Sequence, residues 1–318
     1  MRILFSFLAA LIIGLVSGRY IIKKLKEFKL GQIIRTDGPQ EHLKKQGTPT
    51  MGGLIFMVAI TVAALLFGGF DLTNLILIGG LLLFGMIGLL DDGLKIKKKD
   101  NEGLTVKQKL FMNLIFSMGV AYAIWTARGN AYTLNIPFLN SGLNLNLLLT
   151  ALFVIVFFTA VTNSVNLSDG IDGLCGSITL VVAAFYVFYG IRGGYTTVAI
   201  FASAMCGGLL AYLFFNWYPA RVFMGDTGSF ALGGALGAMA IVTGTEILFI
   251  LIGLIYVLEA LSVIIQLTVY KKTGKKPFKM APIHHHYEKS GWNETKIVTV
   301  FTLFTVITAA AAYFISAV

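Results

Sequence analysis

Ten stretches of about twenty mostly apolar residues dominate this sequence, near residues 3–22, 52–70, 75–91, 109–127, 146–163, 174–191, 195–215, 229–245, 246–270 and 297–316. A helix needs that length to cross the hydrocarbon core of a bilayer, and inside lipid each backbone polar group must be satisfied within its own helix. The spacing therefore predicts an all-α polytopic membrane protein of about ten spans, forming one transmembrane domain over 1–318. Charged residues make up 13% of the chain, about half the ~25% of a soluble domain, too few to cover a soluble core of this size. A cytosolic globular enzyme, a disordered chain and a disulfide scaffold are excluded. Cys175 and Cys206 form no metal or disulfide pattern. The first span has Arg2 ahead of it but no small-residue cleavage site before the basic run from Lys23 to Lys29, so it reads as a retained span.

Basic residues set the expected orientation. Of 25, 22 fall in segments 19–50, 91–109, 271–296 and at Arg221, all on alternate connections; Arg2, Arg128 and Arg192 are left for the other side. By the positive-inside rule the loops at about 23–50, 91–109, 164–174, 216–229 and 271–296 face the cytoplasm and both termini lie outside. The net charge of +10 then points to an anionic membrane face or phosphorylated substrates, not to nucleic acid. In the outer loop 128–145, the alternation of Tyr132, Leu134, Ile136 and Phe138 before Asn140-Ser141-Gly142 predicts a small β-hairpin.

The acidic residues carry the functional signal. Asp91, Asp92, Asp169, Asp172 and Asp226 all sit at cytoplasmic ends of spans, where carboxylates are costly and mark sites. A single such Asp is as readily a solvated helix-end residue; five from three loops on one side are not. In Gly88-Leu89-Leu90-Asp91-Asp92-Gly93-Leu94-Lys95 two like charges close an apolar run and require a nearby cation, for which magnesium with its oxygen ligands is the natural candidate. The alternatives are that one Asp stays protonated or serves as a base. In Asn166-Leu167-Ser168-Asp169-Gly170-Ile171-Asp172-Gly173, three polar side chains recur every third residue; Asp172 alone could instead cap the next helix. Gly225 and Gly228 flank Asp226 and Thr227 at the start of span 8, whose free N–H groups favour an anion. Nearby Phe223 suits either base stacking or anchoring at the membrane interface.

Consecutive His284, His285 and His286 diverge by about 100° per residue on a helix and have no cysteine beside them, so donors to phosphate or sugar oxygens are a better reading than a zinc site. Lys44, Lys45, Thr48, Thr50 and three glycines at the start of span 2 suit phosphate binding without matching a P-loop. Glu259 stands alone inside span 9: either it faces an interior polar pocket, or the span breaks and carries it toward the cytoplasm.

Together KKQGTPTMGG, GLLDDGLK, NSVNLSDGIDGL, FMGDTGS and APIHHHYEKSGW resemble the phospho-N-acetylmuramoyl-pentapeptide-transferase family, within the wider group that moves sugar 1-phosphates onto polyprenyl phosphate. The resemblance implies transfer from UDP-N-acetylmuramoyl-pentapeptide to undecaprenyl phosphate, giving lipid I and UMP with Mg2+, by a homodimer in the bacterial plasma membrane. It implies a magnesium ligand at Asp226 and a catalytic pair at Asp91 and Asp92, themselves possible metal ligands, with Asp91 the favoured base. Lys45, Lys95 and Lys107 would hold phosphates; Asn166, Asp169, Gly170, Asp172, Asn216 and Phe223 would form the uridine side, with Phe223 on uracil. His284, His285 and His286 would be needed for activity near the sugar and phosphates. The rivals are a transferase of UDP-N-acetylglucosamine, a transporter and a non-catalytic scaffold. A transporter would place its ionisable residues near the bilayer midplane, where only Glu259 falls.

Overall fold

The computed structural model describes residues 1–28, 47–98, 102–137 and 142–316. Lys44 and Lys45, expected to bind phosphate, lie outside the described residues. The elements run α1 (Arg2–Glu27), α2 (Gly53–Gly68), α3 (Leu72–Lys98), α4 (Val106–Ala127), β1 (Tyr132–Leu134), β2 (Leu143–Leu145), α5 (Leu147–Leu167), α6 (Leu174–Gly193), α7 (Thr196–Asn216), α8 (Gly225–Thr243), α9 (Phe249–Ile252), α10 (Leu254–Thr273), α11 (Ile283–Glu288) and α12 (Glu294–Ile315). Eight of these helices are long and apolar enough to cross a membrane: α1, α3, α4, α5, α6, α7, α10 and α12. α2, at 16 residues, is apolar but short, and the Gly- and Ala-rich α8 is almost wholly enclosed by the other helices. The chain is a polytopic helical membrane protein.

Each expected span has its helix, but the ends differ in a way that matters for the site. α3 continues six residues past Asp92, α5 runs through Asn166, and α8 already includes Asp226 in its first turn. The polar motifs therefore ride on helical turns, where reading by hydropathy puts loops. Hydropathy falls where lipid contact ends, whereas the helix goes on until its hydrogen bonds are capped. Span 9 is divided at Gly253 into the short α9 and the longer α10; the break precedes Glu259, which stays buried within α10.

The expected outer hairpin is present, with β1 antiparallel to β2 and Tyr132 opposite Leu145. Asn146 then caps α5 by accepting from the Leu149 N–H at 2.9 Å.

α3 and α8 pack along most of their length, and small residues let them do so. A Cβ on Gly80 would lie 2.7 Å from the Gly234 carbonyl oxygen, and one on Gly88 would lie 2.0 Å from that of Asp226. Close backbone approach through small residues is how helices associate where lipid supplies no hydrophobic drive. Gly88 brings the end of α3 against the start of α8, and that contact sets the site.

Candidate active site

Asp91, Asp92 and Asp226 converge: one carboxylate oxygen from each lies within 4.8 Å of the others. Their roles in the geometry differ. Asp92 is buried, and its Oδ2 accepts from the Thr227 N–H at 2.9 Å and the Thr227 hydroxyl at 2.7 Å, while Oδ1 accepts from the Asp226 N–H at 3.2 Å. It caps α8 from a neighbouring helix, meeting N–H groups that the local sequence leaves uncapped. The two carboxylates do not end their helix: α3 runs on for six residues, and Lys95, Lys97 and Lys98 occupy its last turn.

Asp91 and Asp226 share two ammonium groups. Lys95 Nζ lies 2.6 Å from Asp91 Oδ2 and 3.0 Å from Asp226 Oδ2; Lys109 Nζ lies 3.1 Å from Asp91 Oδ1 and 2.9 Å from Asp226 Oδ2. Asp226 Oδ1 accepts from the Asn166 amide at 2.9 Å, and that amide also donates to Ser229 Oγ at 2.8 Å. Three carboxylates against two lysines leave one negative charge uncompensated, with Asp169 close behind. Enclosure, and then the negative charges of Asp226, Asp92 and Asp172, push the Asp169 carboxyl well above the ordinary carboxylate range. An all-oxygen donor set with excess negative charge fits a hard divalent cation.

The structure divides the other expected residues into groups. Lys95 joins the cluster, but Lys107 is exposed on the first turn of α4 and Lys109, two residues on, is the one that reaches it. Asn166 touches the metal-competent carboxylate, apart from Asp172 and Asn216, which knit two loops. Asp172 Oδ2 accepts from the Ala220 N–H at 2.9 Å; Asn216 accepts from the Gly173 N–H at 2.9 Å and donates to the Val222 carbonyl at 2.9 Å. The capping alternative for Asp172 fails, since Gly173, in the left-handed conformation at φ 80°, occupies that position.

Phe223 is half-buried, and its backbone pairs with the start of α2: its N–H donates to the Pro49 carbonyl and its carbonyl accepts from the Gly52 N–H, both at 2.8 Å. This joins the TPTMGG and FMGD motifs and buries Thr50 beside Gly225, whose Cβ would sit 2.7 Å from the Thr50 hydroxyl oxygen.

The three histidines separate as well. His284 is wholly buried against Gly170, His285 pairs with Glu288, and His286 Nδ1 accepts from the Lys279 N–H at 3.1 Å.

Three site residues escaped the sequence reading: Lys109, Ser229 and Glu294, whose Oε2 accepts from the Asp172 N–H at 3.0 Å. For Lys109 a signal existed, because Lys107 and Lys109 share the same short segment and differ by about 200° around the helix. Choosing between them requires the direction of the first turn of α4, which is set by the Thr105–Gln108 capping box.

A cavity of about 220 Å³ opens beside Lys109, between α4, α5 and α8, lined by Val106, Leu110 and Phe230 with Asn113 and Asn163. It offers an apolar approach ending at a cation.

Comparison with known proteins gives consistent matches. Residues 74–244 match the model of glycosyl transferase family 4, and residues 45–57 match phospho-N-acetylmuramoyl-pentapeptide-transferase signature 1. Relatives named phospho-N-acetylmuramoyl-pentapeptide-transferase include one from Clostridium botulinum (strain Alaska E43 / Type E3), 48% identical over 95% of this chain and 94% of its own length. Another, from Clostridium perfringens (strain 13 / Type A), is 47% identical over 98% of this chain and 97% of its own. A third, from Carboxydothermus hydrogenoformans, is 45% identical over 95% of each.

Proposed function

The chain belongs to the phospho-N-acetylmuramoyl-pentapeptide-transferase family, and from that premise we propose how its geometry carries out the reaction. It transfers phospho-N-acetylmuramoyl-pentapeptide from the UDP-linked donor to undecaprenyl phosphate, giving lipid I and UMP in peptidoglycan synthesis. The observation that carries the reading is the convergence of Asp91, Asp92 and Asp226 with Lys95 and Lys109 bridging them.

Two anionic phosphates must meet, so the barrier is chiefly electrostatic. Asp226 and Asp91 would hold Mg2+, with Asp92 close enough to contribute; bound there, the ion neutralises charge on the phosphates. Lys95 and Lys109, which pair with the carboxylates, would supply positive charge to phosphate oxygens. Asn166 holds Asp226 in place and Asp92 fixes the start of α8. The acceptor phosphate, with a second pKa of ~6, is already mostly dianionic at neutral pH. Direct in-line attack on the β-phosphorus with UMP leaving therefore needs little from a base, and Asp91 serves more as charge than as proton acceptor. The cavity beside Lys109 takes the first part of the prenyl chain, which explains why the active centre is embedded at a bilayer surface.

The donor's uridine lies on the side of Asp169, Gly170, Asp172, Asn216 and Phe223, with His285 and His286 toward sugar and phosphate. From their motif, phosphate binding is also assigned to Lys44, Lys45 and Thr50. The basic residues concentrated beside these motifs support a cytoplasmic active site at the plasma membrane, with ten spans, outward termini and a homodimer as the working assembly.

The test uses purified protein, polyprenyl phosphate and Mg2+. UDP-N-acetylmuramoyl-pentapeptide should release UMP, UDP-N-acetylglucosamine should not substitute, and chelation of Mg2+ should stop turnover. Release of UMP from the N-acetylglucosamine donor at a comparable rate would overturn the assignment.

A further inference from the structure

Glu259 has no part in the chemistry above, yet it is wholly buried on a helix that mostly faces outward. The buried residues of α10 are Ile255, Tyr256, Glu259 and Ser262, a single stripe at helical spacing with a carboxylate at its centre. Glu259 Oε1 lies 3.1 Å from Nδ1 of His284, which is equally buried, and among the described residues this is the one ionic contact of either side chain. Neither carboxylate oxygen and neither ring nitrogen has a hydrogen-bonding partner among those residues, the 3.1 Å contact included. A carboxylate so placed persists only where its partner is fixed.

The far edge of the His284 ring rests on bare backbone. A Cβ on Gly170 would lie 2.1 Å from Nε2 and 2.7 Å from Cε1, so no other residue type fits there without moving the ring. Gly170 lies between Asp169, which feels the charge of Asp226 and Asp92, and the Ile171-Asp172 turn tied to Ala220 and Glu294. Glu259, His284 and the 168–173 loop thus form a continuous packed series from α10 to the carboxylate cluster.

We infer that Glu259 is a positioning residue: it holds the His284 imidazole as a wedge between α10 and Gly170 and so fixes the loop that receives the nucleotide end of the donor. His284 acts through packing, unlike His285 and His286, which remain partly exposed. The inference rests on the proposed function for the identity of the donor and on the loop's place in that function.

The experiment is a double-mutant cycle on Glu259→Leu and His284→Leu in the full-length enzyme, with separate KM values for the UDP-linked donor and for polyprenyl phosphate. Each single variant should raise the donor KM at least about tenfold and leave the acceptor KM within twofold. The double variant should be no worse than the poorer single, because removing both partners leaves no unpaired buried group. Glu259→Gln, which keeps the shape and a polar end against the His284 ring, should recover most of the donor affinity. Gly170→Ala should reproduce the donor-side defect by displacing the ring. Accumulation of the double variant where Glu259→Leu alone fails to accumulate would equally show the coupling.

Additive losses, acceptor and donor KM rising together, or a His284→Leu defect confined to kcat with Glu259→Leu near wild type would overturn the inference. Absence of wild-type turnover with the muramoyl donor would instead strike the proposed function.

Discussion

α8 has a polar cluster at each end, and the two are built on opposite principles. At its start, Asp226 meets Asp91, Asp92, Lys95, Lys109 and Asn166, with carboxylates in excess and several side chains partly open. Past its other end, the Glu246 carboxylate accepts from the Tyr132 hydroxyl, and Arg128 lies over the Tyr132 ring at 4.8 Å while donating to the Ile241 carbonyl at 2.8 Å. Tyr186, Thr243 and Thr245 extend that second network. There one Arg and one Glu share the Tyr132 side chain, Tyr132 and Glu246 are each 1% exposed, and the hairpin is clamped to the helix end. A closed, charge-balanced cluster suits a fastening; an open one with surplus charge suits a binding site.

Substitutions at the two ends should separate cleanly. Asp226→Ala should have the largest effect, a loss of about 10³-fold or more in kcat, because it removes the proposed metal ligand and a partner of both lysines. The melting temperature in detergent should hold within a few degrees. Activity within a factor of a few of wild type would mean that the surplus charge is not the source of function. Lys109→Met should cost about 10²-fold while Lys107→Met stays within twofold, a contrast that UMP release reads directly. Asn166→Ala should cost about tenfold, and raising Mg2+ should recover part of that, since the amide orients the proposed ligand Asp226 without replacing it.

Much of this was legible in the sequence. The apolar runs gave the helices because lipid enforces helical spans, and the hairpin followed from alternation. The carboxylates were found as expensive residues in apolar surroundings. What stayed hidden depends on direction and on long-range contact. Nothing in the spacing of Asp91 and Asp92 says that one would cap α8 while its neighbour faces two lysines. Which of Lys107 and Lys109 points inward turns on the rotation of a single helix. Glu259 was visible as an anomaly, yet its partner lies 25 residues away on a six-residue helix that no periodicity marks. The fastening at the far end of α8 was hidden for a related reason: Arg128 and Tyr132 come from one connection and Glu246 from another, and each looks like an ordinary loop residue by itself.

The weakest effect on activity, and the clearest one on stability, belongs to Glu246. Burial pushes its carboxyl up from an ordinary 4.5 to about 7, despite the hydrogen bond from Tyr132, which acts in the opposite direction. The folded protein therefore binds this proton more tightly than the unfolded chain, so the contribution of Glu246 to stability is greatest at low pH and declines as pH rises from about 4.5 through about 7. Melting temperatures across pH 5 to 8 should fall more steeply for wild type than for Glu246→Gln, which cannot ionise and keeps an oxygen for Tyr132 to donate to. UMP release at fixed pH should stay within twofold for that variant. Identical pH slopes in the two proteins would show that Glu246 does not titrate in this window. A large loss of turnover would show that the two ends of α8 are coupled and that the Glu246 cluster is more than a fastening.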